Sequence, residues 1–186
     1  KPYTLELGRF SEILNGVKTG KEAISGQIFD MTKGLSFPQM GAFILELEYK
    51  VDSTMNSGIQ IRSNSFPYYR NGQVHGYQVE IDPSKRAWSA GIYDEGRRGW
   101  LNPLADNPKA QQAFKQNDWN HYRIEAIGDT LKTWINDVPA SYLIDDVTKS
   151  GFIRLQVHGI PKKNKAGTEI QWKNIMDLYL EIREVK

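Results

Sequence analysis

In the segment FILELEYKV (residues 43–51) every second side chain is large and apolar. Phe43, Leu45, Leu47, Tyr49 and Val51 fall on one side, and Ile44, Glu46, Glu48 and Lys50 on the other. Successive side chains of an extended chain point to opposite faces, so this alternation predicts a strand with one face in a core. The period recurs three times. Residues 57–63 set Ile59 and Ile61 against Gln60 and Arg62; residues 76–82 set Tyr77, Val79 and Ile81 against Gln78, Glu80 and Asp82; residues 151–158 set Ile153, Leu155 and Val157 against Arg154, Gln156 and His158. A chain patterned this way buries its apolar faces by stacking sheets.

The remaining segments fit the same plan. Residues 88–93 read as a strand running into a loop, DEGRRGW (94–100), which holds two acids, two arginines and Trp100; its charges also fit an ion-pair cluster. Asn107 before Pro108 caps the one expected helix, KAQQAFKQ (109–116). Residues 119–126 and 131–136 form a hairpin around Gly128-Asp129, Asn136-Asp137 marks the next turn, and residues 170–182 make one long strand or two joined by a bulge near Asn174. Residues 3–7 and 24–29 read as brief strands between glycines. The expectation is an all-β antiparallel sandwich with one short helix, forming a single domain over residues 1–186.

Composition narrows the function classes. With 24 basic against 22 acidic side chains and a net charge of +2, nothing calls for nucleic acid, and no run approaches the ~20 apolar residues of a membrane helix. The basic run at 162–165 reads as a solvated loop. Absence of cysteine removes thiol nucleophiles, disulfides and cysteine metal sites. The chain begins at Lys1 without an apolar leader, which is read as a mature or trimmed product. Aromatics are plentiful, with five tryptophans and nine tyrosines, and aromatic faces suit the apolar faces of sugar rings.

The polar faces of three strands carry the candidate site. Gln60 and Arg62, Gln78, Glu80 and Asp82, and Arg154, Gln156 and His158 would line one hollow if their strands are neighbours, with Tyr77, Tyr93 or Trp100 available to stack on a ring. The alternatives are plain ion pairs between strands, an incidental histidine at 158, and Trp100 as a core anchor. No GxSxG, HExxH or phosphate loop occurs, and His75, His121 and His158 are too far apart in sequence to suggest a metal site. No metal or other cofactor is expected, with a divalent ion at Glu80 or Asp82 left open.

Six segments taken together, NSGIQIR, GYQVEID, AGIYDEG, WNHYRIEAIGDTLKTWINDVPA, GFIRLQVHG and IQWKNIMDLYL, resemble the 3-keto-disaccharide hydrolase family, in the same order along most of the chain. Many relatives carry an acid directly after the tyrosine and glutamine two positions on, whereas here Gln78 precedes Glu80. The resemblance implies a concanavalin A-like lectin and glucanase jelly roll, export by bacteria to the periplasm or outer surface, and action on 3-keto-glycosides by hydrolysis or by elimination and hydration. It points to Arg62, Tyr77, Glu80, Asp82, Tyr93 and His158. On this reading Glu80 or His158 is the base, Arg62 polarises the keto oxygen and Tyr77 or Tyr93 assists the leaving group, with Gln60, Gln78, Trp100, Arg154 and Gln156 binding the saccharide.

Two rivals stand beside it. A glycosidase of the laminarinase type shares the fold but needs a second carboxylate ~5–5.5 Å from the first, and Glu80-Ile81-Asp82 is followed here by Pro83, Ser84 and Lys85. A non-catalytic carbohydrate-binding module needs only the aromatics and donors.

Overall fold

The alternating segments are strands of two antiparallel sheets whose apolar faces meet in one core. The structure is a computed structural model and describes residues 28–29, 41–157 and 169–179. In chain order the strands are β1 (Ile28–Phe29), β2 (Phe43–Val51), β3 (Ser57–Asn64), β4 (His75–Ile81), β5 (Ile92–Glu95), β6 (Gly99–Asn102), β7 (Asn120–Ile127), β8 (Thr130–Ile135), β9 (Val138–Ile144), β10 (Phe152–Val157) and β11 (Ile170–Tyr179). One sheet has the order β1-β10-β3-β4-β5-β6 and the other β11-β2-β7-β8-β9. The strand expected at residues 3–7 and the basic loop at 162–165 lie outside the described residues, as does His158.

Alternation decides which side chains enter the core. Ile59, Ile61, Tyr77, Val79, Ile81 and Ile92 of the first sheet face Phe43, Leu45, Leu47, Tyr49, Tyr122 and Ile124 of the second, all buried. Tyr49 and Tyr122 meet edge to face at 4.6 Å, an arrangement that aromatic quadrupoles favour. The helix α1 (Pro108–Ala113) is shorter than the sequence suggests, but its start is as expected: the Asn107 side chain accepts from Ala110 N at 3.2 Å and proline fills the first turn. Among the described residues no helix is long and apolar enough to cross a membrane.

Three departures from the sequence reading have local causes. Residues 88–91 are a tight turn rather than strand, with Ala87 and Ala90 at φ 52° and 72°, so β5 begins only at Ile92. DEGRRGW is not a loop but a hairpin, turning at residues 96–98 between β5 and β6. β9 was not foreseen because it carries Pro139; it forms the edge of its sheet, where a missing N–H is tolerated, and Asn136 and Asp137 at φ 48° and 67° make the two-residue turn into it. Asn174, at φ 50°, sits in the register break of β11, as the sequence suggests.

Candidate functional site

Of the three polar strand faces, the described positions Gln60, Gln78, Glu80, Arg154 and Gln156 come together on one side of one sheet. β10, β3 and β4 are consecutive neighbours, and their register, extended through β5 and β6, sets Arg154, Gln60, Gln78, Tyr93 and Trp100 in one row across the sheet. One step along, Gln156 stands opposite Gly58, and Gly58 opposite Glu80. This is the outer face of the sheet, yet Gln60, Gln78 and Glu80 are 0, 3 and 5 % exposed. Polar groups so deeply buried must be satisfied by partners.

The partners form a chain that ends on Glu80. Ser63 Oγ donates to Gln60 Oε1 at 2.7 Å, Gln60 Nε2 to Gln78 Oε1 at 2.6 Å, and Gln78 Nε2 to Glu80 Oε2 at 2.7 Å. The other carboxylate oxygen accepts from Asn56 Nδ2. Burial lifts the Glu80 carboxyl above its ordinary pKa; the Asn56 and Gln78 donors pull the other way, Asp82 adds to the rise and Arg86 opposes it. The backbone at Glu80 is clamped as well. Its N–H donates to Gly91 O at 2.9 Å, and its carbonyl accepts from Ala90 N at 2.8 Å and, across the core, from Tyr122 Oη at 2.7 Å. Thr133 and Ser141 of the second sheet then hold the Ala90 carbonyl at 2.6 and 2.9 Å. A carboxylate of raised pKa on so rigid a support is the kind of group that takes and returns a proton.

Aromatic rings border it. Trp100 packs edge to face on Trp88 (4.9 Å) and Tyr93 (5.3 Å), and its ring reaches over Gly91, the residue opposite Glu80, where an added Cβ would lie 3.0 Å from Cζ3. The Arg86 guanidinium stacks on both indoles, 4.8 Å from Trp88 and 5.0 Å from Trp100. Arg154 lies 3.9 Å over the Phe152 ring, and the buried Gln156 Oε1 has no hydrogen-bond partner among the described residues.

Three expected site residues are placed differently. The register breaks between Ile61 and Asn64, and Arg62 takes φ 44°, so the bulge turns it away and sets Ser63 toward Gln60 instead. Arg62 is 1 % exposed and donates to the carbonyls of Gly41 and Gly128 (2.8 Å), at the end of the opposite sheet, where it cannot polarise a substrate on the outer face. Tyr77 is a core residue whose hydroxyl donates to Asp145; burial and that acceptor push its phenol up to about 12. Asp145 is gripped by Arg98 at 2.8 and 3.1 Å; although burial opposes its charge, Arg98 and Tyr77 bring its pKa down to about 2. Asp82 follows the last residue of β4 and is spent on the turn, accepting from Arg86 at 2.7 Å and from Ser84 N at 3.1 Å. Burial works against its charge, but those donors hold its carboxyl below the ordinary range.

Asn56, Ser63, Arg86 and Trp88 were not foreseen as site residues. Asn56 precedes its strand and Ser63 reaches the face only through the bulge, so neither appears in a period-two reading; the spacing of Arg86 and Trp88 beside Trp100 was the one available sign. Among the described residues no group of three histidine, aspartate or glutamate side chains is placed to hold a metal ion. His75 is packed 4.0 Å from Tyr69, and His121 lies on the other sheet.

Similar structures share this architecture. A carbohydrate-binding module, CBM66 from Bacillus subtilis, superposes with a TM-score of 0.53 at 16% identity over 82% of this chain and 91% of its own. A provisionally assigned glycosyl hydrolase from Parabacteroides distasonis gives 0.54 at 13% over 77% and 74%, and a tetrameric galectin from the sponge Cinachyrella sp. 0.52 at 10% over 83% and 99%. At these identities the likeness establishes the fold, the concanavalin A-like jelly-roll sandwich. No curated protein sequence matches significantly. A family model does, over residues 13–176, and with most of the chain inside that match the protein belongs to the family of 3-keto-alpha-glucoside-1,2-lyase-like domains.

Proposed function

We propose that the protein cleaves 3-keto-glycosides on the outer face of the six-stranded sheet, by elimination and hydration, with Glu80 as the base. The observation that carries this reading is a single carboxylate of raised pKa, held by two amide donors beside a wall of indoles, in a chain of this family. A ketone at C3 acidifies the C2 proton. Glu80 takes that proton, the C2–H electron pair becomes the C1–C2 double bond, and the C1–O bond breaks with its pair leaving on the glycosidic oxygen, which is then protonated. Water adds across the double bond to give the free 3-keto sugar. The route draws its acidity from the ketone and calls for no redox cofactor.

The other roles follow from position. Arg86, whose charge is felt at Glu80, replaces Arg62 as the cation for the keto oxygen. Tyr93 rather than Tyr77 faces the same side as Gln78 and protonates the leaving oxygen. Trp100 stacks on the ring, while Arg154 and Gln156 bind hydroxyls. His158 is the second base suggested by sequence. The saccharide is the partner throughout. The retaining route would need a second free carboxylate, and Asp82, the acid just past the end of β4, is tied to Arg86.

Incubation with matched glucosides, oxidised and unoxidised at C3, tests the reading. Aglycone is expected from the 3-keto compound alone. Release from both would indicate a conventional glycosidase, and binding without release a carbohydrate-binding module.

A further inference from the structure

Glu80 depends on the direction in which one amide faces. Gln78 can stabilise the carboxylate only with Nε2 toward it; the flipped amide would present Oε1, an acceptor against an acceptor. The flip is opposed from behind, because Gln60 Nε2 donates to Gln78 Oε1 (2.6 Å) and could not do so to an amino group. Gln60 faces the same choice, and Ser63, whose hydroxyl can donate or accept, favours this direction by donating to Gln60 Oε1 at 2.7 Å, closer than its contacts to Ile61 O (3.0 Å) and Tyr77 O (3.4 Å).

The sheet is also cleared for these side chains. An added Cβ on Gly58 would lie 2.7 Å from both Cγ and Cδ of Gln78, which therefore lies flat across the glycine to reach Glu80. Gly76, at φ 145°, would carry a Cβ into Ser63 Oγ and 2.7 Å from Ser63 Cα. The bulge that removes Arg62 from this face is what brings Ser63 to it.

We propose that Ser63 and Gln60 are positioning residues: a one-way hydrogen-bond relay, Ser63 to Gln60 to Gln78, that locks the Gln78 amide with its N–H toward Glu80 and so sets the proton affinity of the base. The inference rests on the reading of Glu80 as the base for its consequence in catalysis, but the relay itself is read on the carboxyl group alone. Glu80 feels Asp82 and Arg86 from the turn after β4, Tyr122 from the opposite sheet, and the neutral donors Asn56 and Gln78.

Titration of the Glu80 carboxyl by 13C NMR, with glutamate Cδ labelled and the signal assigned by Glu80→Gln, tests the relay without substrate. Gln78→Met removes the donor and should raise the titration midpoint by about one pH unit or more. Gln60→Met and Ser63→Ala leave Gln78 intact and should still raise it, by about half a unit. If both titrate like the wild type, or if Gln78→Met does not shift the midpoint, the relay is wrong. Amide spectra confirm folding of each variant, and should Gln60→Met not fold, the smaller Ser63→Ala decides alone. Failure to release aglycone from any 3-keto-glycoside would instead overturn the catalytic reading and leave these titrations standing.

Discussion

The outer faces of the two sheets have the same period-two polarity and opposite chemistry. On the five-stranded sheet the three acids Glu46, Glu48 and Glu125 are paired with two cations: Arg123 bridges Glu46 and Glu125 (2.6 Å), and Lys173 meets Glu48 at 3.0 Å, with every member between 19 and 33 % exposed. On the six-stranded sheet the centre of the outer face is two amides and a carboxylate, Gln60, Gln78 and Glu80, at 0, 3 and 5 % exposure, and among the described residues no cation is bonded to that carboxylate. Solvent screens the first set, so its pairs contribute little to stability. Nothing screens the second, and its satisfied network fixes a charge whose proton affinity the protein controls. Polarity alone marks an outer face; amides around a buried acid are the feature on which the proposed chemistry rests.

That contrast breaks most sharply at the acids themselves. Glu80→Gln should cut aglycone release from a 3-keto-glucoside by about 10²–10⁴-fold, the usual worth of a positioned base, whereas Glu46→Gln on the other face should leave the rate unchanged. Glu80 should also cost stability once ionised. Its folded pKa is raised, so its favourable contribution is present below the unfolded value and lost as pH rises through the folded one. The denaturation midpoint of the wild type should therefore fall relative to Glu80→Gln as pH climbs above ordinary carboxylate values.

Next in size is the pin at the end of β4. Asp145→Asn takes the charge from the acceptor shared by Tyr77 and Arg98, and should cost about 1–3 kcal/mol in chemical denaturation at neutral pH. Here the sign is reversed. The pKa is depressed from 3.8 to about 2, so the advantage of the wild type is complete above pH 3.8 and fades as pH falls through about 2. Trp100→Ala should raise KM several-fold with a smaller change in kcat, as loss of a stacking surface does. Smallest of all, Arg123→Ala on the charged face should cost no more than about 1 kcal/mol and shrink further in high salt.

Much of this was legible in the sequence because strand faces are a local property. FILELEYKV, SGIQIRS and GYQVEID fix their own core sides, and the neighbouring polar positions Gln60, Gln78, Glu80, Arg154 and Gln156 share a face once their strands pair. What could not be read depends on contacts distant in the chain. The bulge at Arg62 is stabilised by Gly41 and Gly128 from the far sheet; Tyr77 is claimed by Asp145, 68 residues away; β9 became a strand despite Pro139 because it lies at an edge. Period-two counting also assumes an unbroken ladder, and so it exchanged Ser63 for Arg62 at the point where the ladder breaks.

The central claim, that Glu80 removes the C2 proton of a 3-keto sugar, is tested most directly by following C2 of a 3-keto-glucoside by NMR in D2O, with wild-type protein and Glu80→Gln. The account predicts that the wild type releases aglycone and that its 3-keto product carries deuterium at C2 from the first turnovers, faster than spontaneous exchange, while the variant does neither above background. Product that keeps its C2 proton, or a variant that matches the wild type, would contradict it.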